Sequence, residues 1–333
     1  MIYVPMWQDE YVFYRITSQL PNLEVTTDWF YVDNPKTLTP SDGFPVDRKE
    51  LFHIIYDMPI YMHSPLANYI SYPIVRVVNL MADNGTLPRI ENSNELHVQE
   101  PITLILRLVS IVLFCLSMWL IYKLLKRKIG DYAYLYSIPI FVSINLLGGI
   151  YNFYWDAFML FFFVLTLYLM ERKSKWAYLT GCFLVNTKLV IGIALLIPLI
   201  IKNKKMAFTL LSLIPFYIAT VVVTHDPLYL IHHLFPQTSQ YSWMYMFWTN
   251  NIIWHNGLIL FAILTIPIFY YAKKYPEYIA TFVILLFYAF GLGVSLEKIS
   301  SLLYIGALVF PLFIYELKLF PKIKMAWNTV LAK

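Results

Sequence analysis

Charged residues are scarce in this 333-residue chain: they make up 14% of it, against about 25% in an ordinary soluble domain. Glycine is sparse too, with 11 residues and no Gly-rich phosphate loop, which argues against a Rossmann or P-loop nucleotide site. The only two cysteines, Cys115 and Cys182, lie in apolar runs, so the sequence offers no disulfide framework or cysteine metal site. These absences exclude a soluble enzyme, a disulfide-rich secreted domain and a disordered chain.

Hydrophobic residues make up 59% of the chain, and its mean hydropathy is +0.60. The formal net charge is +5, but Lys and Arg fall in short runs between apolar stretches and do not cluster on a polar face. That pattern is typical of a membrane protein and argues against a nucleic-acid partner. The sequence therefore predicts an all-α polytopic membrane protein.

The chain divides near residue 101. Residues 1–101 hold 13 of the 20 acidic residues and no run long enough to span a bilayer. From residue 102 onward, apolar runs of about 20 residues recur, the length that a helix needs to cross the hydrocarbon core. We expect an extracytoplasmic segment at 1–101 and a transmembrane domain at 102–333, with about seven full spans at 102–125, 132–148, 154–170, 206–224, 252–272, 278–296 and 300–317.

Residues 176–201 form an eighth apolar run that has basic residues at both ends. If this run crosses the membrane once, the cytoplasmic loops hold 8 Lys and Arg; if it enters and returns to the same side, they hold 16 of the 25. The second count satisfies the positive-inside rule better and leaves 225–251, which has no Lys or Arg, outside. We therefore predict a re-entrant helical pair that turns near Asn186, Thr187 and Lys188, with a cytoplasmic C-terminus.

The N-terminal segment shows no signal peptide, because the apolar start at 1–6 is too short and acidic residues follow at once. We expect that a leading transmembrane helix is missing from this chain or that the segment is translocated without one. Residues 67–81 form an amphipathic run, which predicts an interfacial helix on the bilayer.

Arg107 and Lys188 are the basic residues inside the apolar runs, and both are expected near the outer leaflet. Two cations at that depth suit a lipid phosphate, with Arg giving bidentate contact and Lys a point charge. The residues leave open that Arg107 extends to ordinary headgroups, that Lys188 pairs with Asp156, and that Asp156 only stabilises a helix N-terminus.

Polar residues elsewhere in the outer half suggest further chemistry. Asp9 and Glu10 precede an amphipathic segment that should hold them at the membrane surface, where a carboxylate can act as a general base. Adjacent His232 and His233 are weak metal candidates, because neighbouring side chains point to different faces of a helix and a solvated loop pair explains them better.

Four stretches, in order, resemble the GT-C glycosyltransferases, and above all the protein O-mannosyltransferases and the bacterial lipid A aminoarabinose transferases. Residues 7–14 (WQDEYVFY) resemble the "DE…Y…A" start of the first outer loop, and residues 61–69 (YMHSPLANY) resemble the "[HK]-P-P-L…Y" element. Residues 106–110 (LRLVS) are similar to the "R-L-P-S" opening of the next span. Asp156 with 158–169, followed by 181–188, resembles the "D…ff…lalyl…G…tK" stretch. The match covers residues 7 to about 205.

The resemblance implies a GT-C-like fold and an inverting enzyme that transfers a sugar from a polyprenyl-phosphate donor to a hydroxyl acceptor outside the membrane. It implies that Asp9 is the catalytic base, with Glu10 near the acceptor or a divalent metal. By the same resemblance, one set of residues lies at the lipid phosphate or its pocket: His63, Arg107, Lys188 and Asp156.

The chain departs from the family pattern at two places. Ser64 replaces the first proline of its motif, and the spacing of 54 residues from Asp9 to His63 indicates an insertion near 32–57 that shapes acceptor choice. A transporter or flippase for an anionic lipid, or an inactive homologue, remains open as an alternative. The composition suggests the plasma membrane of a microbe.

Overall fold

A computed structural model describes Thr17, 66–87, 100–138, 155–187, 189–224, 227–228, 266–267 and 303–317. Every regular element in these ranges is helical, as the sequence predicts. The α-helices are α1 (Leu66–Asp83), α2 (Glu100–Ile129), α3 (Trp155–Glu171), α4 (Trp176–Thr187), α5 (Leu189–Lys202), α6 (Ile214–Thr224) and α7 (Leu303–Glu316), with 3₁₀ helices at Gly130–Tyr136 and Lys204–Leu213.

The long helix α2 contains the predicted span 102–125. No glycine interrupts it, and its only proline, Pro101, occupies the first turn, where no backbone hydrogen bond is lost. Its last turn carries Lys126, Arg127 and Lys128, which favour the negative end of the helix dipole, and Gly130 follows at φ +57°. In the described part of the chain, Thr103–Tyr136 is the one helical stretch long and apolar enough to cross a membrane by length and composition.

Helices α3 and α4 form an antiparallel pair. The turn between them closes where the backbone N–H of Ser174 donates to the carbonyl of Leu169 at 2.9 Å. Buried Thr166 and Thr180 are hydrogen-bonded through their hydroxyls at 2.9 Å, and the rings of Phe162 and Phe183 lie 5.1 Å apart between centroids. This register brings the end of α4 level with the beginning of α3.

Helices α4 and α5 form a second hairpin, which coincides with the predicted helical pair at 176–201. The side-chain amide of Asn203 donates to the Tyr178 hydroxyl at 3.3 Å, although one continuous helix would separate these residues by about 37 Å. Gly192 lies so close to α4 that an ideal Cβ on it would be 2.6 Å from the Leu184 carbonyl oxygen. The chain therefore reverses between Thr187 and Leu189, within the run for which the sequence predicts a re-entrant pair.

The predicted span 206–224 is helical, but its first half is a 3₁₀ helix. Asn203 begins this helix by accepting the backbone N–H of Lys205 at 3.2 Å. The Asn186 side-chain amide donates to the Ser212 hydroxyl at 2.7 Å, and Met206 packs beside Gly181. These contacts show that α4 and the 3₁₀ helix are parallel.

The contacts between the helices define two different ends of the bundle. Lys128, near the end of α2, forms a salt bridge of 2.9 Å with Glu171, the last residue of α3, so both helices finish together. The α3–α4 turn and the Tyr178–Asn203 contact lie at this same end. We call it the basic end, because residues 123–128, 172–175 and 202–205 gather there; the polar end is the opposite one, with the first turns of α2 and α3 and the last turn of α4.

Helix α1 covers the predicted amphipathic run 67–81. Its buried face is made of small residues that allow close packing on the bundle, namely Ala67, Ser71, Val75, Val78 and Ala82. A second stripe is apolar yet exposed, and consists of Ile70, Ile74, Val77 and Leu80. The helix prediction is confirmed, and the exposed stripe is the face that the interfacial hypothesis requires.

Near the C-terminus, α7 covers most of the predicted span 300–317. It packs on the first 3₁₀ helix, where the rings of Tyr132 and Tyr315 meet edge to face with centroids 5.0 Å apart. Of the span predicted at 132–148, the described residues end at 138. The span at 278–296 and all but two residues of the span at 252–272 lie outside them.

Candidate functional site

Two predicted site residues, Arg107 and Asp156, fall in the described part of the chain, and both lie toward the polar end. Arg107 is in the second turn of α2 and Asp156 is in the first turn of α3. Because Phe183 packs against Phe162 in an antiparallel pair, Thr187 lies near the level of residue 158, close to Asp156. The fold thus brings the first turns of α2 and α3 and the α4–α5 turn to one end of the bundle.

Arg107 is 2% exposed, although the helix that carries it is otherwise apolar over most of its length. Arginine is almost never buried so fully without groups that compensate its charge. The ten Lys and Arg of the basic end, in contrast, are all exposed. Arg107 therefore does not extend to headgroups in the way that the sequence left open; its side chain lies inside the bundle.

Asp156 is half-buried in the first turn of α3. A carboxylate at this position stabilises a helix through the macrodipole, so its location suits the capping explanation that the sequence left open. The same position also places an acid at the polar end. Both roles are compatible with the fold.

Other buried polar groups accompany Arg107 along one face of α2, and sequence reasoning did not identify them as site residues. Thr103, Ser110 and Ser117 are buried there, at spacings of four, three and ten residues from Arg107. Spacings near multiples of 3.6 place such residues on the same face of a helix, which is the signal that the sequence does contain. The hydrophobic residues between them concealed it.

The Ser110 hydroxyl differs from the comparable hydroxyls that the structure describes, because it is buried and has no hydrogen-bond partner. Ser117 on the same helix donates to the Leu113 carbonyl at 2.7 Å, and Thr187 donates to the Phe183 carbonyl at 2.7 Å. An unpaired buried hydroxyl costs about 1 kcal/mol or more. The Ser110 hydroxyl that carries this cost lies one helical turn away from Arg107.

We expect Ser110→Ala to raise the free energy of unfolding by about 1 kcal/mol, since it removes a buried polar group that has no partner. Ser117→Ala is the matched control on the same helix and should lower that free energy or leave it unchanged, because it removes a made hydrogen bond. Thermal unfolding of both variants in one detergent measures the difference. Equal shifts for the two serines would contradict the prediction.

The remaining predicted site residues lie outside the described ranges: Asp9, Glu10, His63, Lys188, His232 and His233. Their roles stay predictions. The described residues contain no group of three or more His, Cys, Asp or Glu that could hold a metal ion, and the named metal candidates, Glu10, His232 and His233, are not among them.

The sequence matches no protein-family model, no curated protein and no solved structure at a significant level. The short motifs of this chain and the geometry of its polar end are therefore the features that bear on its function.

Proposed function

We propose that this protein is a polytopic membrane glycosyltransferase of GT-C type. It transfers a sugar from a polyprenyl-phosphate donor to an acceptor hydroxyl at the outer face, with inversion. The observation that carries the proposal is the buried guanidinium of Arg107, at the same end of the bundle as Asp156 and the α4–α5 turn. A buried cation inside an apolar helix bundle marks a functional site by default, and a phosphate is an anion that a guanidinium is well suited to bind.

The proposed membrane arrangement follows from the two ends of the bundle. Three basic runs that are far apart in sequence gather at the basic end, which is where the positive-inside rule places the cytoplasm. Helices α4 and α5 have 12 and 14 residues, so each is too short to cross about 30 Å of hydrocarbon. Together they enter from the basic end and return to it. They support a re-entrant pair, an outward-facing polar end and a cytoplasmic C-terminus, in the plasma membrane of a microbe.

The proposed reaction consists of one proton transfer and one displacement of the lipid phosphate. The Asp9 carboxylate takes the proton of the acceptor hydroxyl, and the acceptor oxygen forms a bond to the anomeric carbon of the donor sugar. The bond from that carbon to the lipid phosphate oxygen breaks, and its electrons leave with the phosphate. Arg107, Lys188 and His63 stabilise the departing phosphate.

Two acidic residues have supporting roles in this proposal. Glu10 lies next to the base and orients the acceptor, or holds a divalent metal if one takes part. Asp156 lies at the polar end of α3 and helps to position the cations around the phosphate. The acceptor and the sugar are defined only by class: a hydroxyl and a polyprenyl-phosphate-linked monosaccharide.

The test is sugar transfer by purified protein in proteoliposomes with a radiolabelled polyprenyl-phosphate sugar. We expect Asp9→Asn to lower kcat by about 10²–10⁴-fold, the usual contribution of a general base, with little change in donor affinity. Asp28→Asn, an acid of the same N-terminal segment without an assigned role, is the control. Full transfer by Asp9→Asn would sink the enzyme proposal.

A second assay in the same vesicles separates the competing class. If wild-type protein moves labelled polyprenyl phosphate between leaflets without consuming the sugar, the protein is a transporter or flippase. If it does neither while the donor still binds, it is an inactive homologue.

A further inference from the structure

The basic end carries an unusual concentration of exposed cations. They come from three chain segments and are all exposed: Lys123, Lys126, Arg127, Lys128, Arg172, Lys173, Lys175, Lys202, Lys204 and Lys205. The Lys128–Glu171 salt bridge joins the first segment to the second, and the Tyr178–Asn203 hydrogen bond joins the second to the third. The fold thus converts three dispersed runs into one charged surface.

Few acidic residues balance this surface. Within the described ranges, the acids at this end are Asp131, Glu171 and Glu316, against ten cations. Glu171 is already engaged with Lys128. Among the described residues, this end therefore carries seven more positive than negative charges, and such an excess produces a field that attracts anionic partners.

Large apolar side chains adjoin the cations on the outside of the bundle. Trp119 is 52% exposed, Trp176 is 67% exposed and Phe208 is 68% exposed. Lys123 places its ammonium 5.5 Å from the centroid of the Trp119 ring, and Trp176 follows directly after Lys175 in the chain. Exposed tryptophans beside exposed lysines are typical of the level at which headgroups meet the acyl chains.

We propose that the basic end binds the headgroups of anionic phospholipids, with Lys175, Lys204 and Lys205 around Trp176 as the principal site. Charge complementarity selects an anionic partner, and the adjoining exposed aromatic side chains favour a lipid, since Trp beside Lys suits the boundary between headgroups and acyl chains. The inference rests on the proposed membrane location and not on sugar transfer. An Asp9→Asn protein should bind these lipids as well as the wild type.

The fold holds the start of the third basic run beside the start of α4. Lys204 and Lys205 are exposed at the start of the 3₁₀ helix, next to the Asn203 side chain that begins it. The Asn203–Tyr178 contact fixes this start against the first turn of α4, which begins at Trp176 and directly follows Lys175. The fold therefore brings the starts of these two helices to one place.

The experiment reconstitutes the full chain in nanodiscs of phosphatidylcholine mixed with phosphatidylglycerol and counts the lipids retained by native mass spectrometry. We expect phosphatidylglycerol to be enriched about tenfold or more over its share of the mixture. Each cation near a charged leaflet contributes about fivefold, so Lys204→Gln/Lys205→Gln should lose most of the enrichment. Raising the salt concentration should weaken it as well.

Two control variants keep the result interpretable. Lys204→Arg/Lys205→Arg preserves both charges and should retain the enrichment, while Arg76→Gln removes an exposed cation of α1, outside the basic end, and should retain most of it. Both lysines are exposed, so unfolding in detergent should change little in any variant. Equal retention of the two lipids by the wild type, undiminished enrichment in the double Gln variant, or tighter binding of a soluble oligonucleotide than of the anionic lipid would each overturn the proposal.

Discussion

Gly192→Ala should destabilise the fold by about 2 kcal/mol, the usual cost of forcing a methyl group into a packed contact. An ideal Cβ at this position would lie 2.6 Å from the Leu184 carbonyl oxygen and 3.0 Å from the Val185 Cα. Both neighbours are backbone atoms of α4, so neither can move without displacing a helix. The two arms of the α4–α5 hairpin must then separate, which disturbs the turn between Thr187 and Leu189.

Gly181→Ala is the matched control for this steric effect. Its Cβ would also make close contacts, at 2.7 Å with the terminal methyl of Met206 and at 3.0 Å with the Thr209 Cγ2, but both are side-chain atoms and the Met206 side chain can change rotamer. Both glycines lie within helices, so the gain in helix propensity of about 1 kcal/mol is common to the two variants. Thermal unfolding should show a large loss at Gly192 and a small change at Gly181; similar losses at both positions would count against the close packing of the hairpin.

Arg107→Gln should weaken the binding of polyprenyl phosphate by about 10–100-fold, since a hydrogen bond to a charged group contributes about 1.5–3 kcal/mol. The guanidinium is buried, and the low dielectric constant of a buried site strengthens its attraction for a phosphate. Arg107→Lys should recover part of the affinity, because it keeps the charge but loses the bidentate geometry. Equilibrium binding of the labelled lipid to purified protein measures each change.

The control for this series is Arg76→Gln, which removes an exposed arginine of α1 and should bind the lipid normally. A decisive negative result is also defined. If Arg107→Gln unfolds at a lower temperature but binds polyprenyl phosphate with unchanged affinity, the guanidinium is a structural group of the bundle and the phosphate site lies elsewhere.

The sequence predicts those parts of the fold that depend on local chemistry. The apolar run of α2 ends at a basic cluster and a left-handed Gly130, and both signals are legible in the amino acids. A count of Lys and Arg in the loops favours a reversal within 176–201, and the Tyr178–Asn203 contact is compatible with it. Long-range charge bias thus predicted a feature that hydrophobicity alone describes as one span.

Features that depend on packing were beyond the sequence. The 3₁₀ form of Lys204–Leu213 arises where this segment is packed along α4, and its residues show no local preference for the tighter helix. Sequence placed Arg107 inside an apolar run but could not decide whether it extends outward or inward, since that depends on which face of α2 meets α3. The unpaired Ser110 hydroxyl is likewise visible only once its neighbours are in place.

The length of α4 sets how far the donor must travel in the proposed membrane arrangement. Twelve helical residues measured from the basic end reach about 18 Å into a hydrocarbon layer about 30 Å thick. The hairpin would then stop roughly 10 Å short of the opposite surface. A phosphate that contacts the turn would have to descend through that interval in a water-filled vestibule. Bilayer thickness should therefore tune donor access, and thinner bilayers should bring the lipid phosphate closer to the turn without any change in the protein.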